Sequence, residues 1–331
     1  MKKFELTTEK KINRYGCELY RIRALIAFET SNGEEIDIGD LGGYVESEKN
    51  LSHDEKAWVC GDAEVWGNAK VYGDAKVCGD AEVWSNAKVY GDAEVWGNAE
   101  VCGDAEVWGN AKVWGSAKVW DNAKVWDNAK VWGNVKVWGN AKVWGNAKVY
   151  GDVEVCSDVD VCGDAEVWGK VKVWGNAKVW GNAKVWDNAR VWSNAKVWGS
   201  AEVWGNAEVC GDAEVCGDAA IFSTGHILNI TPIGVRADSL TFFRTKTREI
   251  DVSFAWDFYA LNAFERLIAN WADKSKATAR MAIEIAKIHI GLTSTAPFGG
   301  CRNCGKEFGS ELVSEYEIKH CPWCGTEIEG R

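Results

Sequence analysis

From residue 57 to residue 219 the apolar and polar positions follow one near-invariant six-residue phrase, V-[W/Y/C]-[G/S/D]-[N/D]-A-[K/E], without a single insertion. Valine stands at every sixth position from Val59 to Val215, 27 times in succession. Six is a multiple of the strand period of two and not of the helical 3.6, so a strand keeps these valines on one side while a helix would scatter them. The pattern predicts a β-solenoid. Within each phrase Ala and Val point one way, and the charged residue and the Trp, Tyr or Cys point the other. That predicts a narrow aliphatic interior and an outer surface of charges and rings. Gly followed by Asn or Asp tolerates positive φ and supplies a sharp corner after each short strand.

The flanks carry other patterns. Residues 1–56 contain alternating stretches such as Leu19 to Leu25, an Asn32-Gly33 turn and Asp40 to Val45, which read as hairpins forming an N-terminal β cap over the first coil. Residues 57–221 form the repeat region. Residues 222–292 predict a small α+β domain closing the other end, with strands over His226 to Thr231, Leu240 to Thr245 and Glu249 to Phe254. Two helices, over Ala260 to Trp271 and Ser275 to Ile290, are expected to follow, with apolar residues at Leu267, Met281, Ile285 and Ile288. Residues 293–331 begin with a short Thr/Ser/Pro/Gly linker and continue into a cysteine-rich segment.

The V-x-x-x-A-x phrase resembles the hexapeptide repeat of left-handed parallel β-helices. That resemblance implies three hexapeptides per triangular coil and therefore nine coils. Stacked at the strand spacing of ~4.8 Å they would make a prism about 40 Å long. It also implies a left hand, against the usual right-handed crossover. The entry phrase Gly39-Asp40-Leu41-Gly42-Gly43-Tyr44-Val45-Glu46-Ser47 is similar to the entry into such repeats in bacteriophage and prophage proteins, including transferase-like hexapeptide proteins of bacteria. Thr231-Pro232-Ile233-Gly234-Val235-Arg236 and Thr241-Phe242-Phe243-Arg244-Thr245 resemble the domain that follows the repeats there. This chain departs from that pattern at Phe254-Ala255-Trp256-Asp257, where a Cys/Gly-rich turn is expected, so no role of that turn carries over.

Composition sets bounds on function. The 331 residues leave room for two or three domains. A net charge of −11 argues against a general nucleic-acid binder. No stretch of ~20 apolar residues is present, and Met1-Lys2-Lys3 leads into Phe4-Glu5-Leu6-Thr7 rather than the apolar core of a signal peptide, so a location in the bacterial host cytoplasm is expected. Of the 12 cysteines, Cys60, Cys78, Cys102, Cys156, Cys162, Cys210 and Cys216 occupy the ring position of the repeat. Reduced thiols are expected there, with Cys17 left over.

Cys301-x2-Cys304 and Cys321-x2-Cys324, sixteen residues apart, carry the clearest local chemistry. Each knuckle turns two thiolates toward one cation, and two knuckles make the tetrahedral sulfur shell of a structural Zn²⁺ ribbon. Four sulfurs leave no open position for a reacting water. Disulfides or an iron–sulfur centre are the alternatives, with His320 a bystander. Lys306 and Lys319 stand against Glu307, Glu311, Glu315 and Glu317, which favours a protein contact over nucleic acid.

The outer face of the repeat offers a candidate binding surface: Trp114, Trp120, Trp126, Trp132, Trp138 and Trp144 beside Lys112, Lys118, Lys124, Lys130, Lys136, Lys142 and Lys148. Asp152, Glu154, Asp158, Asp160, Asp164 and Glu166 follow as an acidic girdle. Like charges stacked ~5 Å apart repel, so such a band would gain from an anionic partner or from the acidic band of another molecule. Rings flanked by Lys suit a single-stranded nucleic acid or an anionic glycan. Stacked rings with lysine stems across them are equally an internal support for the coils. Catalysis finds little purchase, because His53, His226, His289 and His320 all lie outside the repeats and only His53 and His226 flank them as possible general bases. The expectation is a non-catalytic structural or interaction rod whose partner is a protein, itself included as a homo-oligomer. A polymer-binding protein and a hexapeptide-type acyltransferase rank behind it.

Overall fold

The computed structural model describes residues 1–233, 238–255, 257–292, 298–300 and 307–309. Its body is a parallel β-solenoid. Val59 pairs with Val77, Val65 with Val83 and Val71 with Val89. Each rung therefore lies against the residue 18 positions further on, and three short strands complete one turn. The rungs line up as three sheets, held by backbone bonds such as Lys124 N–H to Ala141 O at 2.9 Å and Trp126 N–H to Val143 O at 3.0 Å. Inside, the repeat's Ala and Val side chains are fully buried. Their small size sets the narrow bore.

The corners obey a pattern that appears only at the 18-residue spacing. In the column beginning at Gly67, the corner residues run Gly67, Ser85, Gly103, Asp121, Gly139, Ser157, Gly175, Ser193, Gly211, all at positive φ. Glycine alternates strictly with a residue that has a side chain. A Cβ on Gly139 would stand 2.8 Å from the backbone nitrogen of Ser157 above it, closer than side chains tolerate without movement of the coil. Asp121, one turn below, accepts a hydrogen bond from Gly139 N–H through Oδ2 at 3.3 Å. That bond offsets part of the cost of its own left-handed backbone.

The N-terminal segment caps the first coil and extends one sheet. Phe4–Ile12 and Glu18–Ala24 pair antiparallel, and Leu41–Val45 pairs antiparallel with the second and parallel with the first rung of its column. The buried Lys3 ammonium donates to the carbonyls of Ala57 (2.7 Å), Glu55 (3.2 Å) and Asp54 (3.4 Å). It thereby covers carbonyls at the open end of the stack, and burial pulls its pKa down to about 8. Asn50, also buried, donates to the carbonyls of Gly67 and Ala69. The turn between the first two strands reaches along the sheet, where Arg14 bridges Glu82 (2.8 Å) and Glu100 (2.9 Å) and Tyr15 lies against Trp66 and Trp84.

At the other end, strands Ile227–Ile233, Asp238–Arg244, Ile250–Phe254 and Asp257–Ala260 form an antiparallel sheet. Helices α1 (Leu261–Ile268) and α2 (Asp273–Leu292) follow. The fourth strand falls in the stretch between Phe254 and Ala260 to which the sequence pattern assigns no element, and it takes in Ala260, where the helix was expected to begin. Phe243 inserts into the end of the solenoid core, and Lys246 donates to Ser200 O while pairing with Glu202. The helices pack through Phe264, Ile268, Ala279, Ala282, Ile283, Ala286 and Ile290. Leu267, Met281, Ile285 and Ile288, the residues that suggested the helical pattern, are exposed instead. Alanines form much of the buried face of α2, and alanine carries little signal of burial in a sequence.

One expectation about the cysteines is overturned. Cys60 and Cys78 form a disulfide rather than two thiols. They stand one turn apart in the same column with a Cα separation of 4.6 Å, inside the range a disulfide spans. Cys17, Cys102, Cys156, Cys162, Cys210 and Cys216 are free, and no other two ring-position cysteines are 18 residues apart.

Candidate functional site

The rings of the repeat form three columns. The longest runs without interruption from Trp96 through Trp114, Trp132, Tyr150, Trp168, Trp186 and Trp204 to Phe222. Within the repeats its rings are nearly parallel, for example 5.0 Å between centroids and 3° between planes for Trp114 and Trp132. This is offset stacking, at a separation where aromatic pairs attract. Each ring buries its neighbour, so Trp114, Trp120, Trp126, Trp132, Trp138 and Trp144 are half-buried rather than displayed.

The lysine run is redistributed in the same way. Lys112 to Lys148 wind through two coils, so Lys112, Lys130 and Lys148 stack in one column, Lys118 and Lys136 in a second and Lys124 and Lys142 in the third, each run closed above and below by a carboxylate residue. Lys112 pairs with Glu94 (2.8 Å), Lys118 with Glu100 (3.0 Å), Lys124 with Glu106 (3.6 Å), Lys136 with Glu154 (3.4 Å) and Lys148 with Glu166 (2.8 Å). Lys142 and Asp160 lie 3.8 Å apart. Lys130 stacks between Lys112 and Lys148 in register, and among the described residues no carboxylate pairs with it. The anticipated stack of like charges is therefore broken into runs of two or three lysines, with a carboxylate at each end of every run. Such exposed pairs are individually weak, so their effect is to neutralise the surface more than to stabilise it.

Both histidines flanking the solenoid are committed to the caps. His53 stacks on Phe4 with centroids 4.2 Å apart, and its Nδ1 accepts the Lys3 backbone N–H at 3.2 Å. His226 is fully buried, edge-on to Phe222, with the Arg244 guanidinium 3.0 Å from its Nε2. Burial first, then the positive charge of Arg244, pushes its pKa down to about 3. Neither presents a base to an open cleft.

One cleft was not anticipated. The second column stacks Tyr72, Tyr90, Trp108, Trp126 and Trp144, stops at Cys162, and resumes with Trp180 and Trp198. Where the ring is missing, a cleft of about 310 Å³ opens, lined by Trp144, Asp160, Cys162, Lys178, Trp180 and Lys196. Only Trp144 belongs to the surface expected from sequence. In sequence the feature is a cysteine 18 residues from a tryptophan on either side, a pattern that Cys102 and Cys156 share in the third column. Burial, with Asp160 nearby, raises the Cys162 thiol to about 11, which keeps it protonated and a poor nucleophile at neutral pH.

Cys301, Cys304, Cys321 and Cys324 lie outside the described residues. Among the described residues no group of three or more His, Cys, Asp or Glu side chains is placed to hold a metal ion, and no helix is long and apolar enough to cross a membrane. Comparison with protein-family models and with curated proteins finds no match to this chain.

Proposed function

We propose that the chain is a non-catalytic structural rod that presents its capped ends, rather than its length, to protein partners. The observation that carries this reading is the self-satisfaction of the outer surface. The rings stack on one another from coil to coil, and six of the seven lysines expected to meet an anion already face a carboxylate of a neighbouring coil. The placement of His53 and His226 inside the caps argues in the same direction, against an acyltransferase. The entry phrase Gly39 to Ser47 supports a phage or prophage source. The test is a titration with oligo-dT, oligo-U and an anionic polysaccharide at low and moderate salt, followed by tryptophan fluorescence. The expected result is no saturable change. A saturable, salt-sensitive response would make the columns a polymer-binding surface and overturn the rod reading.

The same proposal assigns Cys301, Cys304, Cys321 and Cys324 to one structural zinc ion at the C-terminal end. Native mass spectrometry should find one zinc per chain, and none in the Cys304→Ser, Cys324→Ser double variant. A wild-type protein purified without chelator and carrying no zinc would remove the assignment.

A further inference from the structure

We propose that the cleft at Cys162 binds a purine nucleotide, with the base inserted between Trp144 and Trp180 as the absent rung of the stack. The inference goes beyond the rod reading, with only the Lys142–Asp160 pair entering both. Trp144 and Trp180 are two coils apart, about 9.6 Å at the normal strand spacing. Elsewhere in this column adjacent rings step by 5.0 Å for Trp180 and Trp198 and by 5.6 Å for Trp126 and Trp144. One planar ring tilted like its neighbours therefore meets both indole faces in the same offset arrangement that holds the column together.

A second departure from the repeat coincides with the first. Every other acidic residue at the charged position of the phrase is Glu, whereas position 160 is Asp. Shorter by one methylene, its carboxylate stops 3.8 Å from the Lys142 ammonium and 3.9 Å from that of Lys178. Glu166 and Glu214 instead reach lysine at 2.8 and 2.6 Å, and the nearest lysines of Glu106 and Glu154 lie at 3.0 and 3.3 Å. Among the described residues the Asp160 carboxylate makes ion pairs but no hydrogen bond to a side chain. It faces the cleft with acceptor capacity for the N–H groups on a base edge, and guanine offers two of them side by side. The Lys178 ammonium on the same rim suits a phosphate. An aromatic side chain of a partner protein would fill the slot but leave both of these groups unmatched, so a nucleotide is the better fit.

The test is calorimetric titration of the full chain with GMP, AMP and ribose 5-phosphate. The expected result is saturable binding of GMP to one site, weaker binding of AMP, and none of ribose 5-phosphate. Cys162→Trp supplies the ring that the coils on either side carry, so it should retain the solenoid's circular dichroism and weaken GMP binding by at least about tenfold. Asp160→Asn, at a half-buried surface position, should fold normally and erase the preference for GMP over AMP. Absence of saturable GMP binding, equal GMP affinity in wild type and Cys162→Trp, or binding of ribose 5-phosphate as tight as GMP would each overturn the proposal. None of these outcomes bears on the titration with purine-free strands that tests the rod.

Discussion

Replacing Val143 with Asp is expected to cost more than about 4 kcal/mol and to break the rod in the middle. Val143 is fully buried between Val125 and Val161 in its column. Around it the bore holds only Ala and Val, and the buried polar side chains of the described residues lie at the ends of the molecule, with Lys76 near the first coils. A carboxylate there has no donor to meet and no room for water. Because each coil touches only its neighbours, the damage should remain local and separate the stack into two halves. Thermal unfolding by circular dichroism should change from one transition to two, and limited proteolysis should cut near the substituted coil. Val143→Ala, which only leaves a void, should cost about 1–3 kcal/mol and keep one transition. An Asp variant that melts with the wild type would show that this position does not face the bore.

The second large effect is a dependence on pH centred on His226. In the folded chain its pKa is about 3, lowered by burial and then by Arg244 and His289, against an ordinary value near 6.5 once unfolded. Between those values the unfolded chain binds a proton that the folded chain does not. Stability is therefore fully present above about pH 6.5 and is lost as pH falls toward 3, at up to ~1.4 kcal/mol per pH unit. At about pH 5 the loss attributable to this one imidazole is about 2 kcal/mol. Urea unfolding of wild type and His226→Asn between about pH 7 and about pH 5 should show the wild type losing its advantage as the solution is acidified. Parallel curves for the two proteins would contradict the assignment.

Those parts of the fold that depend on neighbours along the chain are legible in the sequence. A period of six is commensurate with a strand, so the inward Val and Ala, the outward rings and the glycine corners could all be read from it. Three hexapeptides per turn also imply columns of residues 18 apart, but not which groups pair within them. Lys118 looks like one of seven like charges until Glu100 is found one coil below it. Cys60 and Cys78 look like two of seven thiols until the register sets them side by side. The cleft at Cys162 was hidden for the same reason, since its walls come from four successive coils. On α2 the failure has another cause. Large apolar residues attracted the pattern, while Ala279, Ala282 and Ala286 do the packing. Of the candidate site, the ring and lysine positions were legible, and what each of them touches was not.

The alternation of corners in the column from Gly67 to Gly211 bears on how such a chain changes length. Removing the single coil that contains Gly103 would set Ser85 directly beneath Asp121, two side chains wedging successive gaps with no glycine between them to absorb the displacement. Removing two coils restores the original succession. Near-identical repeats invite unequal recombination at every multiple of six, but closure of the turn admits only multiples of 18, and this column favours multiples of 36. Viable descendants of the rod should therefore differ in length by pairs of coils. The spacing of its side-chain-bearing corners would then record the unit in which it grew.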